Sequence, residues 1–156
     1  MKKERFFRIG FVVVIFLGLL LRLLPAWDNN FYFTMDQGND AVHVRDIINR
    51  GQIFLLGPPT GIEGLFAGPL WYYFIALGFF LFRGHPFGSV LMLIFLNVFL
   101  TGFLIWWIGK KISPLVGLVT GLLLQLFWPF YEVSRYGFNP FPLVALSFFL
   151  IYFLLE

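Results

Sequence analysis

Charged residues are distributed along this chain so that long stretches contain none. Uncharged, mostly apolar stretches cover residues 9–21, 64–82, 86–109, 112–131 and 136–155. One crossing of a bilayer requires about 20 such residues. With 60% apolar and only 12% charged residues among 156, the chain carries more apolar surface than a small water-soluble domain can bury. The sequence therefore predicts an all-α integral membrane protein.

Composition also excludes several kinds of site and partner. The chain has no Cys and only two His, which rules out disulfides and thiolate metal sites and leaves too few ligands for a His-rich metal cage. No glycine-rich nucleotide-binding pattern is present. The net charge of +3 comes from basic residues that flank apolar stretches, which is a topology signal in a membrane protein. We therefore expect no nucleic-acid partner.

The first apolar stretch predicts a membrane anchor over about 7–24, because Arg8 and Arg22 can extend their charged ends toward the two membrane surfaces. It follows a basic start and lacks a signal-peptidase cleavage site, which is typical of a retained anchor with a cytoplasmic N-terminus. We expect a multi-pass protein of the plasma (inner) membrane. Its further membrane helices are expected at about 88–109, 113–130 and 141–155.

Residues 64–82 leave the number of crossings open. If they cross, the chain has five crossings and the loop 131–139 is cytoplasmic. If they do not, the chain has four crossings and that loop faces outside together with Asp36. Both arrangements place the same number of Lys and Arg in the cytoplasm, so the charge rule does not decide between them. The short stretch after Pro69 and the interfacial aromatic run that begins at Trp71 favour four crossings, with a juxtamembrane helix at about 68–82.

The outer loop, residues 25–87, also contains an amphipathic helix. Apolar residues recur with helical spacing over about 39–50. Asp36 or Asn39 is placed to cap the start of this helix, and Gly51 is placed to end it. We expect the apolar face of this helix to lie on the membrane interface, and Asp40 to lie on the solvated face.

In the four-crossing arrangement, most acidic residues of the chain lie on the outer side together with several Arg. A carboxylate there can act as a general base or bind a divalent cation, and an Arg can neutralise a phosphate. For Asp36, considered by itself, helix capping is the simpler interpretation. The acidic residues on the outer side are Asp28, Asp36, Asp40, Asp46, Glu63 and Glu132.

The order of these parts resembles a known family. After the anchor, the outer loop opens with Asp36-Gln37, its helix ends in Asn49-Arg50-Gly51, and Gly68-Pro69-Leu70-Trp71-Tyr72-Tyr73 follows. This order is similar to the N-terminal module of the GT-C fold polyprenyl-phosphate-sugar glycosyltransferases, which include protein O-mannosyltransferases and the lipid A aminoarabinose transferase. The resemblance covers nearly the whole chain. It implies one membrane domain, residues 1–156, that is the N-terminal fragment of a longer GT-C module with four membrane helices.

The resemblance assigns roles to particular residues. In the family, an acidic residue that opens the first outer loop lies at the catalytic centre, and Asp36 matches it, with Gln37 in place of a Glu. The second outer loop matches residues 135–140, with Asn139 in place of an acid, and the basic residue that the family has before Pro69 is absent. Asp36 is thus the implied catalytic residue. The implied substrate-binding residues are Arg135, Asn139, Arg50, Arg83 and Gln37.

The implied reaction moves a sugar from a polyprenyl-phosphate-linked donor to an acceptor hydroxyl on the outer face of the membrane. The partners are then this donor, membrane lipid and an acceptor that the sequence does not specify. No nucleotide is needed, and the sequence makes no cofactor certain. A divalent metal held by Asp36 and Asn139 remains an open alternative. A different class of function also stays open. The general apolar pattern, and the lack of a second acid at position 139, fit a non-catalytic multi-pass scaffold or part of a transporter.

Overall fold

The computed structural model describes residues 2–155, and this part of the chain folds into helices connected by loops. It contains no β-strand, only one isolated bridge between Pro59 and Phe66. The prediction of an all-α fold is therefore confirmed for these residues. The helices are α1 (Lys2–Trp27), α2 (Met35–Arg50), α3 (Leu70–Leu81), α4 (Phe87–Lys111), α5 (Pro114–Leu126), α6 (Trp128–Val133) and α7 (Pro142–Leu155).

Two of these helices, α1 and α4, are long and apolar enough to cross a membrane. Three more helices, α3, α5 and α7, are apolar but shorter. Many large apolar side chains point away from the protein, among them Phe16 on α1, Phe99 on α4 and Leu123 on α5. A water-soluble monomer rarely exposes so much contiguous apolar surface.

Helices α1, α4, α5 and α7 pack side by side in a bundle. Phe7 contacts Gly109, and Gly18 contacts Gln125, so α1 runs antiparallel to α4 and parallel to α5. Ring contacts of Phe103 with Phe149 and of Trp107 with Tyr152 set α7 parallel to α4. One end of the bundle, the loop end, consequently holds Trp27, Phe87, Leu126 and Pro142. The other end, the basic end, holds Lys3, Arg8, Lys110 and Lys111.

Helices α2 and α3 pack against each other through Val44 of α2 and Trp71, Tyr72 and Ile75 of α3. The expectation that the apolar face of α2 lies on the membrane interface is therefore wrong for Val44, which the aromatic side chains of α3 bury completely. For Ile48, which is exposed on the same face, it stays a prediction.

Several helix boundaries differ from those expected. Helix α1 is longer at both ends than the expected span of about 7–24, since it runs from Lys2 to Trp27. Helix α2 begins at Met35, with Thr34 as its N-cap residue, and not near residue 39. The helix expected over 113–130 is divided at Phe127, whose backbone is extended. Pro129 explains the division, because it has no N–H to donate to the carbonyl of Gln125 one turn earlier, and its ring would clash with that carbonyl in a continuous helix. Helix α6 then turns across the loop end of the bundle.

Polar side chains within the bundle bond to their own helices. Asn97 donates to the carbonyl of Leu93 (2.8 Å), and Thr101 donates to the carbonyl of Asn97 (2.9 Å). Ser147 donates to the carbonyl of Val144 (2.7 Å). Side chains this short reach the preceding turn of their own helix.

The tightest crossing in the fold joins α3 to α4 at Gly78 and Gly88, where a Cβ on either residue would overlap the carbonyl group of the other. Gly88→Ala should therefore force the two backbones apart and lower the free energy of unfolding by about 2 kcal/mol. Gly68→Ala is the matched control, because a Cβ there meets open space. Thermal or denaturant unfolding in detergent measures both, and equal stability of the two variants would contradict this crossing.

Candidate functional site

A cavity of about 510 Å³ opens at the loop end, between the start of α2, the loop before α3 and the loop between α6 and α7. It brings together segments that lie far apart in the sequence. Its lining contains two carboxylates and two side-chain amides, with no basic residue. The lining residues are Asp36, Asn39, Asp40, Pro58, Pro59, Thr60, Gly61, Ala67, Phe138, Asn139 and Pro140.

Asp36 lies in the first turn of α2 and is exposed to the cavity. The capping role that the sequence allowed for Asp36 or Asn39 is wrong, because Thr34 occupies the N-cap position. Among residues 2–155, no hydrogen bond or ion pair engages the carboxylate of Asp36. Its place at a helix N-terminus favours the negative charge. The side chain is thus free to contact a ligand in the cavity.

Asn139 reaches the same cavity because aromatic contacts hold its loop against the segment before α2. Tyr136 packs on Tyr32 with ring centroids 5.5 Å apart, and its hydroxyl lies 3.2 Å from Oγ1 of Thr34. On the far side of Tyr136, Phe138 stacks at 5.4 Å. The two segments that the sequence paired as a candidate site are therefore neighbours in the fold.

Gln37 lies beneath the cavity and not in its lining. The side chain is 2% exposed, and its Oε1 accepts a hydrogen bond of 2.7 Å from the backbone N–H of Thr34. Its Nε2 faces Gly137 and has no hydrogen-bond partner among the described residues. The structure thus gives Gln37 a supporting position, in which it fixes the start of α2 and with it the direction of Asp36.

Asp40 is the acidic residue whose position the sequence misjudged. It was expected on a solvated face, but it is 2% exposed and its Oδ2 accepts a hydrogen bond of 2.7 Å from Nε1 of Trp71. Burial raises the pKa of Asp40, and the negative charge of Asp36 raises it further. The hydrogen bond from Trp71 and the charge of the nearby His43 act in the opposite direction and lower this pKa. Burial, together with the charge of Asp40, also raises the pKa of Tyr72 to about 12.

The three candidate Arg residues lie in different places. Arg135 is half-buried near the cavity but outside its lining, where it donates to the carbonyl of Asn30 and to the hydroxyl of Tyr131 (2.6 Å). Arg50 lies at the far end of α2 and pairs with Asp46 at 3.5 Å. Arg83 lines a separate cavity between α2 and α3. The structure therefore brings Arg135 close to the candidate site and places Arg50 and Arg83 elsewhere.

Arg22 is a buried cation that sequence reasoning placed at the membrane surface. It is fully buried, donates to Oγ of Ser134 (2.6 Å) and to the carbonyl of Gly18 (3.1 Å), and packs on the rings of Phe130 and Tyr131. Its Nη2 has no hydrogen-bond partner within the described chain. The one sequence feature that could have indicated a buried Arg22 is its position near the end of an otherwise apolar stretch.

The described residues contain some, but not all, of the ligands that a metal site requires. No group of three or more His, Cys, Asp or Glu side chains that could hold a metal ion occurs in residues 2–155. The cavity does offer carboxylate oxygens from Asp36 and Asp40 and an amide oxygen from Asn139, which are ligands that hard divalent cations accept. The same groups are also suitable hydrogen-bond partners for the hydroxyls of a sugar.

Comparison with known proteins places this chain in no established group, since no family model, curated protein or solved structure matches it.

The raised pKa of Asp40 gives a pH dependence with a definite sign. The folded protein binds this proton more tightly than the unfolded chain, so the contribution to stability is complete below the ordinary Asp pKa and is lost as pH rises through the raised value. In Asp40→Asn the side chain stays neutral and still accepts the bond from Trp71. We expect the stability of Asp40→Asn, relative to the parent protein, to rise as the pH increases above about 4.

Thermal unfolding at several pH values measures this difference, with Asp28→Asn as the control because Asp28 is exposed. The same pH-dependent gain in both variants would contradict a buried Asp40.

Proposed function

We propose that this protein is a membrane glycosyltransferase that moves a sugar from a polyprenyl-phosphate-linked donor to an acceptor hydroxyl on the outer face of the membrane. The observation that carries the proposal is the cavity at the loop end, which collects Asp36, Asp40 and Asn139 from distant segments. The donor and the membrane lipid are its partners. The resemblance to the GT-C enzymes indicates the type of reaction, and the polar lining of the cavity supports the proposal.

The proposal includes four crossings, by α1, α4, α5 and α7, in the plasma (inner) membrane with the N-terminus in the cytoplasm. The alternating directions of these helices are consistent with it. Every Lys of the sequence lies at the start of α1 or the end of α4, and Lys and Arg are enriched on the cytoplasmic side of membrane proteins. The loop end, which carries the cavity, then faces outside, and α3 lies there as a juxtamembrane helix.

In the proposed reaction, the acceptor oxygen attacks the anomeric carbon of the donor sugar. A new bond forms between this carbon and the acceptor oxygen, while its bond to the phosphate oxygen breaks and the polyprenyl phosphate leaves. Asp36 takes the proton of the acceptor hydroxyl, for which an exposed carboxylate without a competing partner is suited. Asn139 and Asn39 orient sugar hydroxyls by hydrogen bonds, since a side-chain amide both donates and accepts.

The leaving phosphate requires positive charge, which the lining of the cavity does not provide. Among the candidate Arg residues, Arg135 belongs to the loop that lines the cavity, since Phe138 and Asn139 follow it by three and four positions. The two carboxylates of the cavity repel a phosphate. We therefore assign the sugar and acceptor to the cavity and the phosphate to its rim beside Arg135.

Asp36→Asn tests the proposed role of the carboxylate. The change removes the proton acceptor and keeps the shape of the side chain, so sugar transfer should fall by about a hundredfold or more. Transfer of labelled sugar from a polyprenyl-phosphate donor is measured in membranes that contain the full-length protein. Stability should change little, because Thr34 and not Asp36 caps α2.

Asp28→Asn is the matched control, since it removes an exposed carboxylate at the same end of the bundle. Transfer that persists in Asp36→Asn at the level of the parent protein would contradict the proposal. A non-catalytic scaffold or a transporter part would then account for the fold.

A further inference from the structure

The basic end of the bundle contains a second site, a mostly apolar cavity of about 650 Å³ between the starts of α1 and α5 and the end of α4. Three cations and one carboxylate line it, so its net charge is positive. Lys110 is held over the ring of Trp106, with its Nζ 4.4 Å from the ring centroid. The lining that matters is Lys3, Glu4, Arg8 and Lys110, with Phe7 and Trp106 as its apolar part.

An apolar groove of about 340 Å³ lies next to this cavity along α1 and α4. Phe11 and Trp106 line both spaces, so the two adjoin each other. Gly102 forms part of the floor, where a Cβ would come within 3.3 Å of Cδ1 of Ile15. Any larger residue at position 102 would therefore narrow the groove.

The combined site has the dimensions of one membrane leaflet. From Lys3 to Ile15, α1 rises about 18 Å at 1.5 Å per residue, and half of the hydrocarbon core of a bilayer is about 15 Å. The cations lie at one end of this length, and the remainder of the lining carries no charged side chain. A ligand that matches it has an anionic group at the membrane surface and an apolar chain that runs toward the bilayer centre.

We propose that this site binds one anionic phospholipid of the cytoplasmic leaflet. The lipid phosphate contacts Lys3, Arg8 and Lys110, and an acyl chain lies along Phe11, Phe99 and Gly102. The proposal rests on the membrane placement given above but not on the glycosyl-transfer reaction, because the site lies at the opposite end of the bundle from Asp36.

Lipid binding to the purified protein tests this directly. The protein is held in neutral detergent micelles and titrated with phosphatidylglycerol or with phosphatidylcholine of the same acyl chains, and native mass spectrometry counts the bound lipids. We expect one phosphatidylglycerol to bind about tenfold more tightly than phosphatidylcholine. The double variant Arg8→Gln/Lys110→Gln should lose this preference. Arg5→Gln is the matched control, since Arg5 is exposed at the same end but outside the lining.

Several outcomes would overturn the proposal. Equal binding of the two lipids would show that the cations do not select the ligand. A loss in Arg5→Gln as large as in the double variant would reduce the effect to general charge attraction. A dimer without bound lipid would assign the groove to a helix of a second copy. None of these results bears on transfer by Asp36, so the two proposals fail independently.

Discussion

The hydrogen bond from Arg22 to Ser134 ties the first helix to the segment that carries half of the candidate site. Arg22 is fully buried near the end of α1, and a cation there is costly unless its N–H groups are satisfied. Ser134 and the carbonyl of Gly18 satisfy part of this requirement, and the aromatic rings of α6 cover the rest of the guanidinium. The turn after α6 is thereby fixed over the bundle. This fixed turn determines the positions of the residues that follow it, Arg135, Tyr136 and Asn139.

The division of α5 from α6 serves the same arrangement. A continuous helix over this region would carry Ser134 away from Arg22, whereas the break before Pro129 turns α6 across the end of the bundle. Tyr136 then meets Tyr32 and Thr34, which join the segment before α2 to the segment before α7. The cavity between Asp36 and Asn139 is a consequence of these contacts between residues that are far apart in the sequence.

The sequence predicts the helices well where a single physical signal controls them. Long apolar stretches between charges predict α4 nearly to its ends and the central part of α1, and the short stretch after Pro69 predicts α3. Prediction from the sequence is wrong where a contact between distant residues determines whether a side chain is buried. The burial of Asp40 depends on Trp71, which is 31 positions away, and the inward turn of Arg22 depends on Ser134, which is 112 positions away. Asp36 and Asn139 were paired through a resemblance, since nothing local in either segment indicates the other.

In the proposed topology, Asp36 and the loop with Asn139 lie on the same, outer side of a membrane that α3 does not cross. The sequence has no Cys, so single Cys residues can be placed at exposed positions by Glu63→Cys, His85→Cys, Pro140→Cys and Ile112→Cys. A membrane-impermeant thiol reagent is then applied to sealed right-side-out vesicles. We expect labelling at positions 63, 85 and 140 in intact vesicles, and at 112 only after permeabilisation. Labelling of 63 and 140 from opposite sides would contradict the proposed topology.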